Sequence, residues 1–337
     1  MSDEYLWVRS GEPDPQIERL EEALRPLRAP QPPPDWRPQP TVRTIPVRSA
    51  WDARWRGAMA AGITLVLGAS WLVSRPVSMG WKVARVEGVP RAGSSPVRTT
   101  GRLAVGEALV TDGGSRATLD VGDIGQVELE PNSRLRLVRA QRSDHRLALD
   151  RGMLHAMIWA PPRLFSVETP AAVAVDFGCA YTLTVEDSGT TTLHVTMGWV
   201  GFDQDGQESW VPAGAECVTR AGKRPGTPYF VDAPDTFRSA LTRLDFEHDP
   251  AALDAVLALA RPRDALTLWH LLPKTTGMAQ ERVYDRLAKL APPPAGVWRA
   301  GVLNGDRHLL DLWWDVLGYG DSSWWRIWKG PSPFAAK

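Results

Sequence analysis

The sequence predicts a mainly β protein, an antiparallel sandwich or jelly-roll-like domain, with one transmembrane helix ahead of it and a small α-helical bundle behind it. Three observations lead there. An uncharged apolar stretch lies near residue 60, short alternating runs separated by turn residues fill residues 80 to about 220, and the apolar period turns helical after about 235. At 337 residues the chain is long enough for roughly two folded units. Its 39 Lys and Arg balance 39 Asp and Glu, so the broad basic field that nucleic-acid binding needs is missing and no nucleic-acid partner is expected.

Residues 1–50 read as a tail. Asp14 can cap a helix over 14–28, Pro15 suits its first turn, and Ile17, Leu20, Leu24 and Leu27 recur at helical steps, which makes them a candidate partner-docking stripe. Ten prolines between Pro13 and Pro46 keep the remainder extended and coreless.

Residues 57–75 are the candidate transmembrane helix. No charge falls between Gly57 and Ser74, and Ile63, Leu65, Val66, Leu67, Leu72 and Val73 carry the apolar weight. Eighteen residues are close to the minimum for a hydrocarbon layer of about 30 Å. Trp51, Trp55, Trp71 and Trp81 supply interfacial aromatics, and Arg54, Arg56, Arg75 and Lys82 can reach the headgroups.

Residues 80–233 form the expected β domain. Alternation is clear in Ala117, Leu119 and Val121, in Tyr181, Leu183 and Val185, and in Leu193, Val195 and Met197. Asp112-Gly113-Gly114, Glu130-Pro131-Asn132-Ser133, Asp187-Ser188-Gly189 and Asp203-Gln204-Asp205-Gly206 punctuate the runs with turn chemistry. Residues 235–337 form the helical, tryptophan-rich region. Asp249-Pro250 and Asp264 mark helix starts, and Met278, Val283, Leu287 and Leu290 form a stripe that Pro292-Pro293-Pro294 ends. About four short helices are expected, docked on the β domain because each is too short to be stable alone.

Read in order, the β segment resembles the FecR-like periplasmic domain of bacterial cell-surface signalling regulators. The residues that carry the resemblance are Gly101 and Leu103, Gly106 leading to Val110-Thr111, Ala117 and Leu119, and the run Val127, Leu129, Pro131, Ser133 and Leu135. Leu149, Gly152 and Leu154, then Phe165, Val167 and Thr169-Pro170, then Val175 with Gly178, and Val195 with Gly198 and Val200 continue it over about residues 85 to 220. The resemblance implies a single-pass inner-membrane protein with a cytoplasmic N-terminus and periplasmic C-terminal domains. It also implies protein partners: an extracytoplasmic-function sigma factor in the cytoplasm and an envelope protein in the periplasm. The sequence departs from the family pattern at the N-terminus, where one helix and a proline linker stand in place of a multi-helix anti-sigma domain.

Cys179 and Cys217 can form a disulfide if the domain is periplasmic, and two buried thiols are the other reading. The six histidines show no ligand-like spacing, and no nucleophile-elbow, P-loop or dinucleotide-binding motif occurs, so neither a metal, a cofactor nor an enzymatic activity is expected. Trp313, Trp314, Trp324 and Trp325 have two readings. Exposed, they make a ligand platform, which would suit an envelope structural or carbohydrate-binding protein; buried, they lock the terminal helices, as Leu309, Leu310 and Leu312 on the same stretch favour.

Overall fold

The computed structural model describes residues 80–204, 207–247 and 249–320. The stripe of Ile17, Leu20, Leu24 and Leu27, the apolar stretch at 57–75, and Trp324 and Trp325 lie outside the described residues.

Among the described residues seventeen strands assemble into two sheets that share one strand. In spatial order, the first holds Gly101–Leu103, Trp81–Glu87, Arg116–Asp120, Gly125–Leu129, residues 152–158, Ala180–Val185, Thr191–Met197, Ala215–Thr219 and Tyr229–Phe230. The second holds Ser95–Pro96, Arg91–Ala92, Ala108–Val110, Arg134–Gln141, residues 144–151, Phe165–Glu168, Val173–Asp176, Trp199–Gln204 and Gln207–Pro212. Both sheets draw on Asp144–Ile158, a 15-residue strand whose first half pairs in one sheet and whose second half pairs in the other. Neighbours run antiparallel except residues 165–168, which lie parallel to residues 145–148 and depart from the all-antiparallel expectation.

The alternating pattern explains the sandwich. In Gly125–Leu129 and Ala180–Val185 every second side chain is buried, so each strand turns one face to the interior and the other outward. Leu103, Leu119, Val127, Leu135, Leu149, Leu154, Leu183 and Leu193 are fully buried, and one continuous core connects them. Hairpins occupy the two sheets in turn, and glycine serves where the chain passes from one to the other. Gly152, with φ +91°, divides the long strand, and a Cβ there would overlap Ser133, whose Oγ accepts the Met153 N–H at 2.9 Å. Gly198, with φ +72°, makes a second crossing, where a Cβ would overlap the Gly178 carbonyl oxygen.

The helical region follows as α1 (Asp235–Thr242), a π-helical segment (Arg243–Glu247), α2 (Ala252–Leu259), α3 (Ala265–Leu271), α4 (Gly277–Leu290), α5 (Arg299–Leu303) and α6 (Arg307–Val316). Six α-helices are thus present among the described residues, against about four expected. Buried Asp264 closes the short turn before α3, accepting the Arg261 backbone N–H at 2.8 Å and Nε–H at 2.9 Å. The proline run follows α4 as expected, and Val283 and Leu287 point inward, but Met278, in the first turn of α4, is 82% exposed.

The fold class read from the sequence needs one correction. Among the described residues no helix is long and apolar enough to cross a membrane. The longest, α4, has 14 residues and spans about 21 Å at 1.5 Å per residue, short of a hydrocarbon layer of about 30 Å. The described architecture is therefore a large β body with a small C-terminal helical region, without a transmembrane helix.

Candidate functional site

The outermost strand of the second sheet, Gln207–Pro212, has an open edge, and helix α3 covers it. Trp210 donates its backbone N–H to His270 Nε2 at 3.0 Å, and His270 Nδ1 lies 2.8 Å from the Leu266 carbonyl oxygen. These contacts fix the tautomer: the proton sits on Nδ1 and Nε2 accepts. Burial holds the ring neutral, pushing its pKa down to about 3. The Thr267 hydroxyl donates to the Pro228 carbonyl at 2.8 Å, which ties the same helix to the last β segment.

An aromatic cluster fills the joint. Trp269 packs edge-on against Trp314 at 4.8 Å and donates its indole N–H to the Leu310 carbonyl at 2.9 Å. Trp314 also meets His270, Trp199 and Tyr319. Trp313, on the neighbouring face of α6, stacks against Tyr284 and donates to the Ala291 carbonyl at 3.1 Å. Trp313 and Trp314 are 0% and 1% exposed, so these two cannot serve as a surface platform; they join the helices to one another and to the β body.

Beside this joint lies a cleft of about 280 Å3. Gln207, Glu208 and Trp210 form its β wall; Trp269, Pro273 and Lys274 line it from the α3 side. Arg224, from the loop after the first sheet's last long strand, and Arg307 and Leu310, from α6, complete it. Lys274 Nζ donates to the Pro225 carbonyl at 2.7 Å and to Thr227 Oγ1 at 3.1 Å. Desolvation lowers its pKa, and nearby Asp245 opposes that shift. Asp245 itself accepts the Thr227 N–H at 2.7 Å and the Thr227 hydroxyl at 2.8 Å.

The two cysteines are apart and unpaired. Cys217 lies opposite Leu193, Leu193 opposite Leu183, and Leu183 four residues along from Cys179, so strand spacing and rise put the two roughly 15 Å apart. A disulfide needs Cα atoms within about 7 Å, and the bridge allowed by the sequence is not formed. Cys179 instead donates its S–H to Asp176 Oδ2 at 2.6 Å, and Cys217 donates to the Gly226 carbonyl at 3.3 Å. Burial raises both thiol pKa values, that of Cys217 to about 12, so neither is a reactive thiolate. Asp176, 1% exposed, is pushed up to about 7 by the same desolvation, against the lowering effect of the Cys179 and Gly178 hydrogen bonds.

Of the cleft residues, Leu310 was named from the sequence only as apolar helix filler, and none was read as part of a binding site. They come from positions 207 to 310 with no common spacing, and only the fold brings them together. Among the described residues no group of three His, Cys, Asp or Glu side chains could hold a metal ion.

The family model described as FecR protein matches residues 107–201. That segment contains the shared strand and both glycine crossings, and it ends before the cleft's β wall. Over those residues the chain is similar to the FecR protein family. Two crystal structures of a protein from Parabacteroides distasonis ATCC 8503, provisionally called an anti-sigma factor, share 13% identity with this chain at a TM-score of 0.33. The similarity covers 40% of this chain and 64% of theirs, so this chain spans less than two thirds of those chains. No curated protein matches.

Proposed function

We propose that this chain is a non-enzymatic regulator whose FecR-like body binds a protein or envelope ligand and whose N-terminal segment engages an extracytoplasmic-function sigma factor. The observation that carries the reading is the FecR match over residues 107–201, which takes in the centre of both sheets. The joint between β body and helices adds support, since a ligand bound at one layer there touches the other. In this reading the body works outside the cytoplasm.

The test is co-purification of the full chain with each extracytoplasmic-function sigma factor of its source cell, alongside a chain lacking residues 1–50. One sigma factor is expected to be retained by the full chain at micromolar concentration and lost from the truncated one. Retention of none would overturn the sigma-factor role. Cell fractionation checks the compartment, and recovery of the body with cytosolic proteins would refute that part.

A further inference from the structure

We infer that the cleft between the strand Gln207–Pro212 and helices α3 and α6 is a binding site for a small organic anion with an apolar body. As the ligand class of the proposed regulator, it rests on the regulatory reading only for its consequence; the binding follows from the cleft alone.

Charge points to an anion. Three cationic side chains, Arg224, Lys274 and Arg307, line the cleft against one carboxylate, Glu208. Glu208 is already faced by Arg163, whose guanidinium lies 3.6 Å away. Arg224 and Arg307 are exposed and make no ion pair among the described residues, so two planar five-donor forks stand without an acceptor at the rim. The Lys274 ammonium spends two of its three protons on Pro225 and Thr227, which leaves one for a ligand.

The floor selects the rest of the molecule. Trp210, Trp269 and Leu310 present apolar surface, and His270 adds no charge because it is neutral with both ring nitrogens engaged. A volume of about 280 Å3 lies at the lower end for small-molecule sites, which suits a carboxylate or phosphate head on a single ring and excludes a folded peptide segment. Such a ligand would bridge layers: its head would meet Arg224 from the β side and Arg307 from the helical side, where a free anion in water meets neither.

Calorimetric titration of the full chain, in a buffer free of carboxylate and phosphate, tests this with benzoate, phenyl phosphate and the neutral benzamide. At least one anion is expected to bind about tenfold or more tightly than benzamide, the order of effect of one charge-assisted hydrogen bond. Comparing the two anions decides whether the head is carboxylate or phosphate. The double variant Arg224→Gln with Arg307→Gln is expected to lose that preference while its melting temperature without ligand stays unchanged, because both side chains are exposed. No anion binding up to about 10 mM, equal affinity for benzamide, or an unaffected double variant would each overturn the inference. Binding of an anion together with no sigma-factor partner would leave the site standing and remove the sigma-factor role.

Discussion

Asp176 is a carboxyl group placed where its charged form is penalised. Its pKa is about 7 in the folded chain against 3.8 ordinarily, so between those values the folded state holds a proton that the unfolded state has released. Stability therefore falls as pH rises from about 4 to 7 on this account, and levels above. His270 acts in the opposite sense: its folded pKa near 3 makes stability rise with pH up to about 6.5. The two effects overlap, so the clean measurement is a difference. The urea midpoint of the wild type minus that of Asp176→Asn is expected to be most positive near pH 4 and to decline until about pH 7. A flat difference would mean that Asp176 is ionised throughout. The cysteines give a second outcome at this scale: alkylation in denaturant without reductant should modify both Cys179 and Cys217, and the native protein should resist it. Their burial was one of two readings open from the sequence, and only the strand register, with Cys217 opposite Leu193, separates them.

At the scale of elements, strand positions were legible wherever one face is buried and the other wet, as in Gly125–Leu129 and Ala180–Val185. Register was not legible, because it depends on partners distant in sequence. Gly152 was read as part of a glycine-spaced pattern; its purpose appears only when Ser133 is seen against it. Gly152→Ala is expected to destabilise by about 2–4 kcal/mol, combining strained φ with overlap. Gly222→Ala, at φ +70° with nothing within 4 Å, should cost roughly 1 kcal/mol. Equal urea midpoints for the two variants would show that close packing at the crossing contributes nothing. His270 was read from the sequence only as one of six histidines without ligand-like spacing, for a related reason: a lone histidine on an apolar helix face carries no signal of the strand it caps. His270→Ala should lower stability by about 2–4 kcal/mol, since it leaves a cavity and an unpaired Trp210 N–H, and hydrogen exchange at that amide should quicken.

Across the whole molecule, composition and period separated β body from helical region near residue 235, and the structure changes element type there. Docking of the helices on the β body was expected from their shortness; what the sequence did not reveal is which residues carry the shared core, among them Trp210, Phe230, Trp269 and Trp314. Residues 80–233 alone would expose the outer strand and its tryptophan, and this fragment is expected to aggregate or to lack a cooperative unfolding transition, measured by light scattering and circular dichroism. A well-behaved fragment would show the helices to be an accessory to the β body. The cleft was illegible for the same reason as the shared core, since residues such as Glu208, Arg224 and Arg307 meet only once both layers have formed.

The strand Asp144–Ile158 ties pairing errors in one sheet to pairing errors in the other. In a sandwich whose sheets share no strand, the register of one sheet is not tied through the backbone to that of the other. Here a one-residue shift of this strand would invert its inward and outward side chains in both sheets at once. It would also carry Gly152 away from Ser133 and push a side-chain-bearing residue into that contact. Misalignment therefore meets two sheets and a steric block together, so a single strand proofreads the alignment of the whole β body.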